Sequence, residues 1–146
     1  MGGPLRVLLV EDEALLAMEM EALLEEAGHA VAGWAVTSRE AYALLDTTEA
    51  DLAFVDVHLA DGPTGVEVAR RFAAEPGLTV VFLTANPKRL PEDLAGAAGV
   101  IAKPYSLAGL NAALRFLHEG VRRPPPRLPR PPGFSLAPDY ALRWRA

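Results

Sequence analysis

Short apolar runs alternate with amphipathic segments along the first 120 residues of the chain. The segments between the runs place apolar residues at helical spacing, and turn sequences separate the two kinds of element. Such alternation predicts a doubly wound α/β domain with a parallel sheet. The runs have the length of strands buried on both faces and cover residues 5–10, 29–34, 52–57, 78–83 and 99–102.

The predicted helices differ in how clearly they are signalled. The first is expected over residues 13–27 and the last over 106–118, each with an apolar stripe. The second and third open at capping boxes, residues 37–40 and 64–67. The segment before the fifth strand contains Pro87 and Pro91 and little periodicity, so it predicts only an irregular fourth helix near 91–97.

Charge divides the chain into two parts. Residues 1–120 hold 8 Lys or Arg against 18 Asp or Glu, net −10, whereas residues 121–146 hold 6 Arg against 1 Asp, net +5. Nucleic-acid binding depends on neutralised phosphates, so the acidic body is a poor surface for it. Because the second part is rich in proline, we expect a domain over 1–120 and an extended or disordered tail over 121–146.

Several classes of protein are disfavoured by what the sequence lacks. The chain contains no cysteine, and no apolar run approaches the ~20 residues of a membrane span. Its first residues do not have the pattern of a signal peptide. We therefore expect a cytoplasmic protein that makes no membrane contact and has no disulfide or thiolate metal site.

Polar side chains follow the ends of four predicted strands. Glu11 and Asp12 follow the first, Asp56 the third, Thr84 the fourth and Lys103 the fifth. The carboxyl ends of parallel strands meet at one edge of the sheet, so we expect these side chains to converge. Neighbouring carboxylates repel one another unless a cation joins them, which indicates a divalent ion such as Mg²⁺ and a phosphoryl group. Asp56 has the chemistry of a phosphoryl nucleophile.

Each of these residues also has a purely structural interpretation. Asp12 would cap the first helix, Thr84 would be an ordinary strand residue, and Lys103 an ordinary exposed lysine. His58, two residues beyond Asp56, has no partner in the sequence and is expected to flank the site rather than act as a base. The structural interpretation explains the residues singly but not their common placement.

Taken in order, these motifs resemble the receiver domain of two-component response regulators. The resemblance covers about residues 5–120 and implies a flavodoxin-like, five-stranded parallel sheet in the order 2-1-3-4-5. The motifs that carry it are Val10-Glu11-Asp12-Glu13, Phe54-Val55-Asp56 with the following Asp61, Gly62 and Gly65, Leu83-Thr84-Ala85, and Ala102-Lys103-Pro104-Tyr105.

The resemblance implies a phosphoacceptor that catalyses its own aspartyl chemistry rather than a turnover enzyme. Asp56 would accept a phosphoryl group from a histidine kinase or a phosphotransfer protein. Lys103 would pair with the acyl phosphate, and Thr84 would move to bond it. The ligands of Mg²⁺ would be Glu11, Asp12, Asp56 and the backbone carbonyl of His58.

Two features depart from the common family pattern. An aromatic switch residue often stands three positions before the lysine, where this chain has Val100, so the coupled threonine–aromatic rotation lacks its aromatic partner. The irregular segment over residues 86–98 is expected to be mobile. The peptide bond before Pro104 is expected to be cis, as is usual in the family.

The favoured function is a stand-alone response regulator that signals to an unknown protein partner by phosphorylation-dependent contact or by phosphorelay. A homodimer is open, and direct DNA binding is not expected. One alternative is a phosphorylation-independent interaction module. Another is a phosphohydrolase, which usually has a second Asp where this chain has His58. The tail is open to three interpretations: a disordered extension, a proline-motif ligand, or a basic segment lying over the acidic body.

Overall fold

A six-stranded sheet forms the centre of the computed structural model, which describes residues 3–140. The strands are β1 (Arg6–Val10), β2 (Ala30–Ala35), β3 (Leu52–Asp56), β4 (Thr79–Thr84), β5 (Gly99–Ala102) and β6 (Phe134–Leu136). The α-helices are α1 (Ala14–Glu26), α2 (Ser38–Thr47), α3 (Gly65–Ala73) and α4 (Leu107–Arg122).

The order of the strands is β2-β1-β3-β4-β5-β6. The first five strands are parallel and follow the order 2-1-3-4-5 that the resemblance implied. The count of five strands was wrong, because β6 pairs with β5 in the antiparallel direction. Three residues among prolines give no strand signal of their own, so β6 depends on the edge that β5 offers.

Helices cover both faces of the sheet. The face of α1 and α4 is filled by the helix residues Met20, Leu24, Leu110, Leu114 and Leu117, all at most 3% exposed. The opposite face packs under α2 and α3, with Ala41, Val68 and Phe72 fully buried. Successive strand side chains point to opposite faces, which explains why the central strands are apolar throughout.

Between β4 and β5 the chain makes two short 3₁₀ turns instead of a fourth α-helix: η1 (Pro87–Arg89) and η2 (Leu94–Gly96). Proline lacks the N–H that a helix interior requires, and Leu94 and Ala95 have φ values of 50° and 54°, in the left-handed region. The expected irregular helix is therefore replaced by turns within this described segment. The expected mobility of residues 86–98 stays a prediction.

The two predicted capping boxes had different outcomes. At α2, Thr37 Oγ1 accepts from the Glu40 N–H at 3.1 Å, and Glu40 Oε1 accepts from the Val36 N–H at 3.0 Å. At α3, Thr64 makes no cap and donates its hydroxyl to Asp61 Oδ1 at 2.8 Å. The first box is confirmed and the second was wrong, because a neighbouring carboxylate competes for the threonine.

Within residues 3–140, none of the helices combines the length and the apolar character that crossing a membrane requires.

Candidate functional site

The ends of β1, β3 and β5 bring three of the predicted site residues into direct contact. Lys103 Nζ donates to Glu11 Oε1 at 2.8 Å and to Asp56 Oδ2 at 3.1 Å. Glu11 is 3% exposed and Asp56 is 7% exposed, so both carboxylates are shielded from bulk water. The sheet therefore places one ammonium between two buried carboxylates that lie 45 residues apart in the sequence.

The ionisation of Glu11 is strongly altered by this environment. Burial is the largest cause, and the hydrogen bond and negative charge of Asp56 add to it, while Lys103 opposes it. Together they raise the pKa of Glu11 to about 7. A second positive charge in the site would relieve this repulsion between carboxylates.

Lys103 stays charged despite its partial burial. Burial alone would lower the pKa of Lys103, but the hydrogen bonds and charges of Glu11 and Asp56 outweigh it and raise this pKa. The backbone N–H of Lys103 donates to the carbonyl of Thr84 at 2.8 Å, and the bond between Lys103 and Pro104 is cis, as expected. The hydrogen bond to Thr84 thus holds the backbone of Lys103 beside the end of β4.

Four carboxylates meet at this end of the sheet. Oxygen atoms of Glu11, Asp12, Glu13 and Asp56 all lie within 4.8 Å of one another. Oxygen ligands at this separation suit a hard divalent cation, and exposed Asp12 and Glu13 leave one side open to water. The donor set therefore fits Mg²⁺. Glu13 stands in the same acidic motif but was not among the predicted ligands.

Hydrogen bonds fix the backbone of the acidic motif. The indole Nε1 of Trp34, at the end of β2, donates to the carbonyl of Glu11 at 2.7 Å. The Glu13 N–H donates to Glu11 Oε2 at 3.3 Å. Sequence reasoning missed the contribution of Trp34, since only the pairing of β1 with β2 brings its ring to this loop.

Thr84 and His58 occupy less central positions. Thr84 is 4% exposed, and its Oγ1 accepts from the Asn86 N–H at 3.0 Å, so its hydroxyl is engaged by the following loop. The side chain of His58 is exposed in the loop after Asp56, between the buried Val57 and Leu59, and its predicted role as a flanking residue stays a prediction. Val100 is 4% exposed within β5. It occupies the position where the family often has an aromatic residue.

Gly65 allows the loop after β3 to close on the start of α3. Its N–H donates to the carbonyl of Val57 at 2.9 Å. A Cβ at residue 65 would overlap the backbone oxygen of Asp56 and lie 2.6 Å from the Cα of Val57. Only glycine permits this approach. The motif gave Gly65 as part of the resemblance, and the structure gives the reason for it.

A parallel α/β sheet with an acidic cluster, a buried aspartate and a lysine at its carboxyl end is the architecture of a receiver-like domain. A family model described as the response regulator receiver domain matches residues 7–115. The chain therefore belongs to the response regulator receiver family, and it is a component of two-component signalling.

Similar proteins include several called PhyR. The phyllosphere-induced regulator PhyR of Methylorubrum extorquens is 35% identical over 122 residues, which are 80% of this chain and 46% of that protein. The solution structure of the PhyR receiver domain of Erythrobacter litoralis matches with a TM-score of 0.72 and 27% identity, covering 86% of this chain and 98% of that one.

A further solved structure is a variant of the anti-anti-sigma factor PhyR of Bartonella quintana. It matches with a TM-score of 0.69 and 28% identity over 83% of this chain and 50% of that one. This chain spans about half the length of the curated relatives it matches first.

Proposed function

We propose that Asp56 accepts a phosphoryl group from the phosphohistidine of a histidine kinase or a phosphotransfer protein. The observation that carries the proposal is the contact of Lys103 Nζ with both Glu11 and Asp56, beside a cluster of further carboxylates. A structural ion pair needs only one carboxylate for one ammonium. The excess of negative charge here is the arrangement expected of a site that binds a cation and a phosphoryl group.

The transfer requires one bond to form and one to break. An oxygen of the Asp56 carboxylate attacks phosphorus, the P–N bond to the donor imidazole breaks, and the imidazole keeps the electron pair and takes a proton from water. Lys103 would stabilise the negative charge on the phosphoryl oxygens. Thr84, whose Oγ1 accepts from the Asn86 N–H in this structure, would move to donate its hydroxyl proton to a phosphoryl oxygen.

Glu11, Asp12, Glu13 and Asp56 would hold Mg²⁺, together with the backbone carbonyl of His58. When bound, the ion supplies positive charge that offsets the repulsion between the carboxylates and the incoming phosphoryl oxygens. Hydrolysis of the acyl phosphate in the same site would return the protein to its resting state. We therefore propose a phosphoacceptor that catalyses its own phosphorylation and dephosphorylation.

The output we propose is a phosphorylation-dependent contact with another protein. The Bartonella quintana relative is described as an anti-anti-sigma factor, which suggests an anti-sigma factor as the partner. Addition of a phosphoryl group changes the charge and the hydrogen-bond acceptors at one end of the sheet, and a neighbouring element with two arrangements would transmit that change.

Intact mass measurement tests the proposal. Incubation with acetyl phosphate and Mg²⁺ should add the mass of one phosphoryl group to the wild-type chain, and a chelator should prevent it. Asp56→Asn should abolish the addition, whereas Asp46→Asn, at an exposed carboxylate outside the site, should leave it unchanged.

Three results would contradict the proposal. Full modification of the Asp56→Asn variant would place the phosphoryl group elsewhere, and no modification of the wild-type chain would favour the phosphorylation-independent interaction module. Continued release of phosphate, far beyond one molecule per chain, would instead indicate a phosphohydrolase.

A further inference from the structure

We propose that residues 133–137 form a displaceable strand, which covers the edge of β5 while Asp56 is unphosphorylated and leaves it when Asp56 is phosphorylated. The released edge would then accept an extended segment of the protein partner. This inference rests on the proposed role of Asp56. It gives a function to β6, which the receiver family motifs leave unexplained.

The edge of β5 has a shape that fits this segment. Phe134 lies opposite Ile101 in the register of the two strands and is 3% exposed, and its ring centroid is 5.6 Å from that of Phe116 on α4. A Cβ at residue 99 would overlap the backbone oxygen of Ser135 and lie 2.8 Å from the Phe134 ring. Gly99 is therefore the floor of a groove that admits a strand carrying an aromatic residue.

The strand is held at both ends by hydrogen bonds of unequal length. The Ala137 N–H donates to the carbonyl of Ala98 at 2.7 Å, whereas the Ala102 N–H donates to the carbonyl of Gly133 at 3.2 Å. The longer bond lies at the end next to the phosphorylation site, because Ala102 immediately precedes Lys103. β6 is also only three residues long, a length that is marginal for a strand.

Movement of Lys103 provides the connection to Asp56. In the resting protein its ammonium reaches the two carboxylates directly, at 2.8 Å and 3.1 Å. An acyl phosphate places new oxygens beyond the Asp56 carboxylate, so Lys103 must shift to pair with them. The shift is transmitted along the backbone to the adjoining Ala102, whose N–H makes the long bond to Gly133 that holds this end of the strand.

Release would be local, since a second attachment holds the linker before β6. The Glu119 carboxylate on α4 accepts hydrogen bonds from the backbone N–H groups of Arg127 and Leu128. The segment would therefore stay tethered near its groove and compete with a partner for it. An exposed sheet edge recognises extended peptides through main-chain hydrogen bonds, and the pocket vacated by Phe134 would select an apolar side chain.

Hydrogen exchange of the full chain in Mg²⁺, with and without beryllofluoride as the acyl-phosphate mimic, tests the inference. Beryllofluoride should speed the exchange of the Ala102 and Ala137 amides by about tenfold or more, while amides of the central strands stay protected. Asp56→Asn should remove this response.

Variants of the groove provide the reciprocal measurement. Gly99→Ala should displace β6 in the absence of beryllofluoride. By linkage, this variant should then bind beryllofluoride more tightly than the wild type, by a factor no larger than the increase in amide exchange rate that beryllofluoride causes in the wild type. Phe134→Ser should have the same two effects, and it serves as the test variant if Gly99→Ala folds poorly. Ser135→Ala, at an exposed side chain of the same strand, is the matched control and should match the wild type in both measurements.

The outcomes separate the inference from the proposed function. Binding of beryllofluoride at Asp56 with unchanged protection of Ala102 and Ala137 would overturn the displaceable strand and leave the phosphoacceptor role standing. Equal binding by the wild type and both groove variants would also overturn it. If beryllofluoride shows no binding that depends on Asp56, both the displaceable strand and the phosphoacceptor role are overturned.

Discussion

Two buried titratable side chains lie at opposite ends of β1. Glu11 follows the strand, in the acidic site, where burial and Asp56 raise its pKa. His29 lies at the other end, where its Nδ1 accepts from the Leu5 N–H at 2.9 Å and its ring packs edge-on against His118. At the residue scale, each group shows how burial decides which protonation state the fold tolerates.

His29 should make the fold sensitive to acid. Burial is the largest cause that lowers its pKa below the ordinary 6.5, and the positive charges of His118 and Arg122 add to it. The unfolded chain therefore binds the proton more readily, so the stabilising effect is present above pH 6.5 and is lost as pH falls through the lower pKa of the folded state. The slope from this group is at most about 1.4 kcal/mol per pH unit.

The measurement is the free energy of unfolding by urea between pH 7.5 and 5. The wild type should lose stability relative to His29→Gln as the pH falls. His58→Gln, at an exposed histidine, should follow the wild-type curve. Parallel curves for the wild type and His29→Gln would show that His29 is not the sensor.

At the scale of elements, the start of α3, the helix that follows Asp56, is fixed by a close backbone contact and not by a capping side chain. α3 begins where Gly65 meets the strand that carries Asp56, and its predicted threonine cap is absent. α2, farther from the site, has the complete capping box. The start of α3 is therefore fixed by contact with β3 and by the loop that Asp61 organises through Ser38 and Thr64.

Gly65→Ala should destabilise the fold and distort the site. The added Cβ overlaps backbone atoms that cannot move as a flexible side chain would, so we expect a loss of about 2–3 kcal/mol in the free energy of unfolding. Mg²⁺ binding, followed by calorimetry, should also weaken. Gly3→Ala is the control, because a Cβ there has no atom within 4 Å. Equal stability of the two variants would contradict the assigned role of Gly65.

On the scale of the whole molecule, α4 ties together segments that lie far apart in the sequence. Arg122, at the end of α4, donates to the carbonyls of Gly3 and Pro4 at 3.1 Å and 2.7 Å and pairs with Asp51 at 3.0 Å. Asp51 in turn accepts from the Arg6 N–H at 2.9 Å. One guanidinium thus joins the chain before β1, the loop before β3 and the end of α4.

Arg122→Lys should lower the free energy of unfolding by about 1–2 kcal/mol, since an ammonium cannot reproduce the several directed bonds of a guanidinium. Urea unfolding measures the loss. Arg115→Lys, an exposed position on the same helix, should change stability by no more than about 0.5 kcal/mol. A similar effect of the two substitutions would show that Arg122 contributes charge alone.

The alternation of short apolar runs and amphipathic segments predicted the positions of the first five strands along the chain, whereas their order in the sheet was implied by the resemblance to the receiver family. The alternation also determined which polar residues would follow the strands. Glu11, Asp56 and Lys103 could be assigned to one edge because strand direction places every carboxyl end there. These features depend on local periodicity and on the connection rules of parallel sheets, both of which are written in the linear order.

Contacts between distant segments decided the rest. The Trp34 indole reaches Glu11 only through the pairing of β1 and β2, and Thr64 lost its predicted cap to Asp61. β6 forms because Gly99 leaves room for Phe134 and Ser135 on the edge of β5. A three-residue strand is not stable by itself. Residues 134–136 therefore form a strand only because the edge of β5 is available to pair with them, which their own sequence does not reveal.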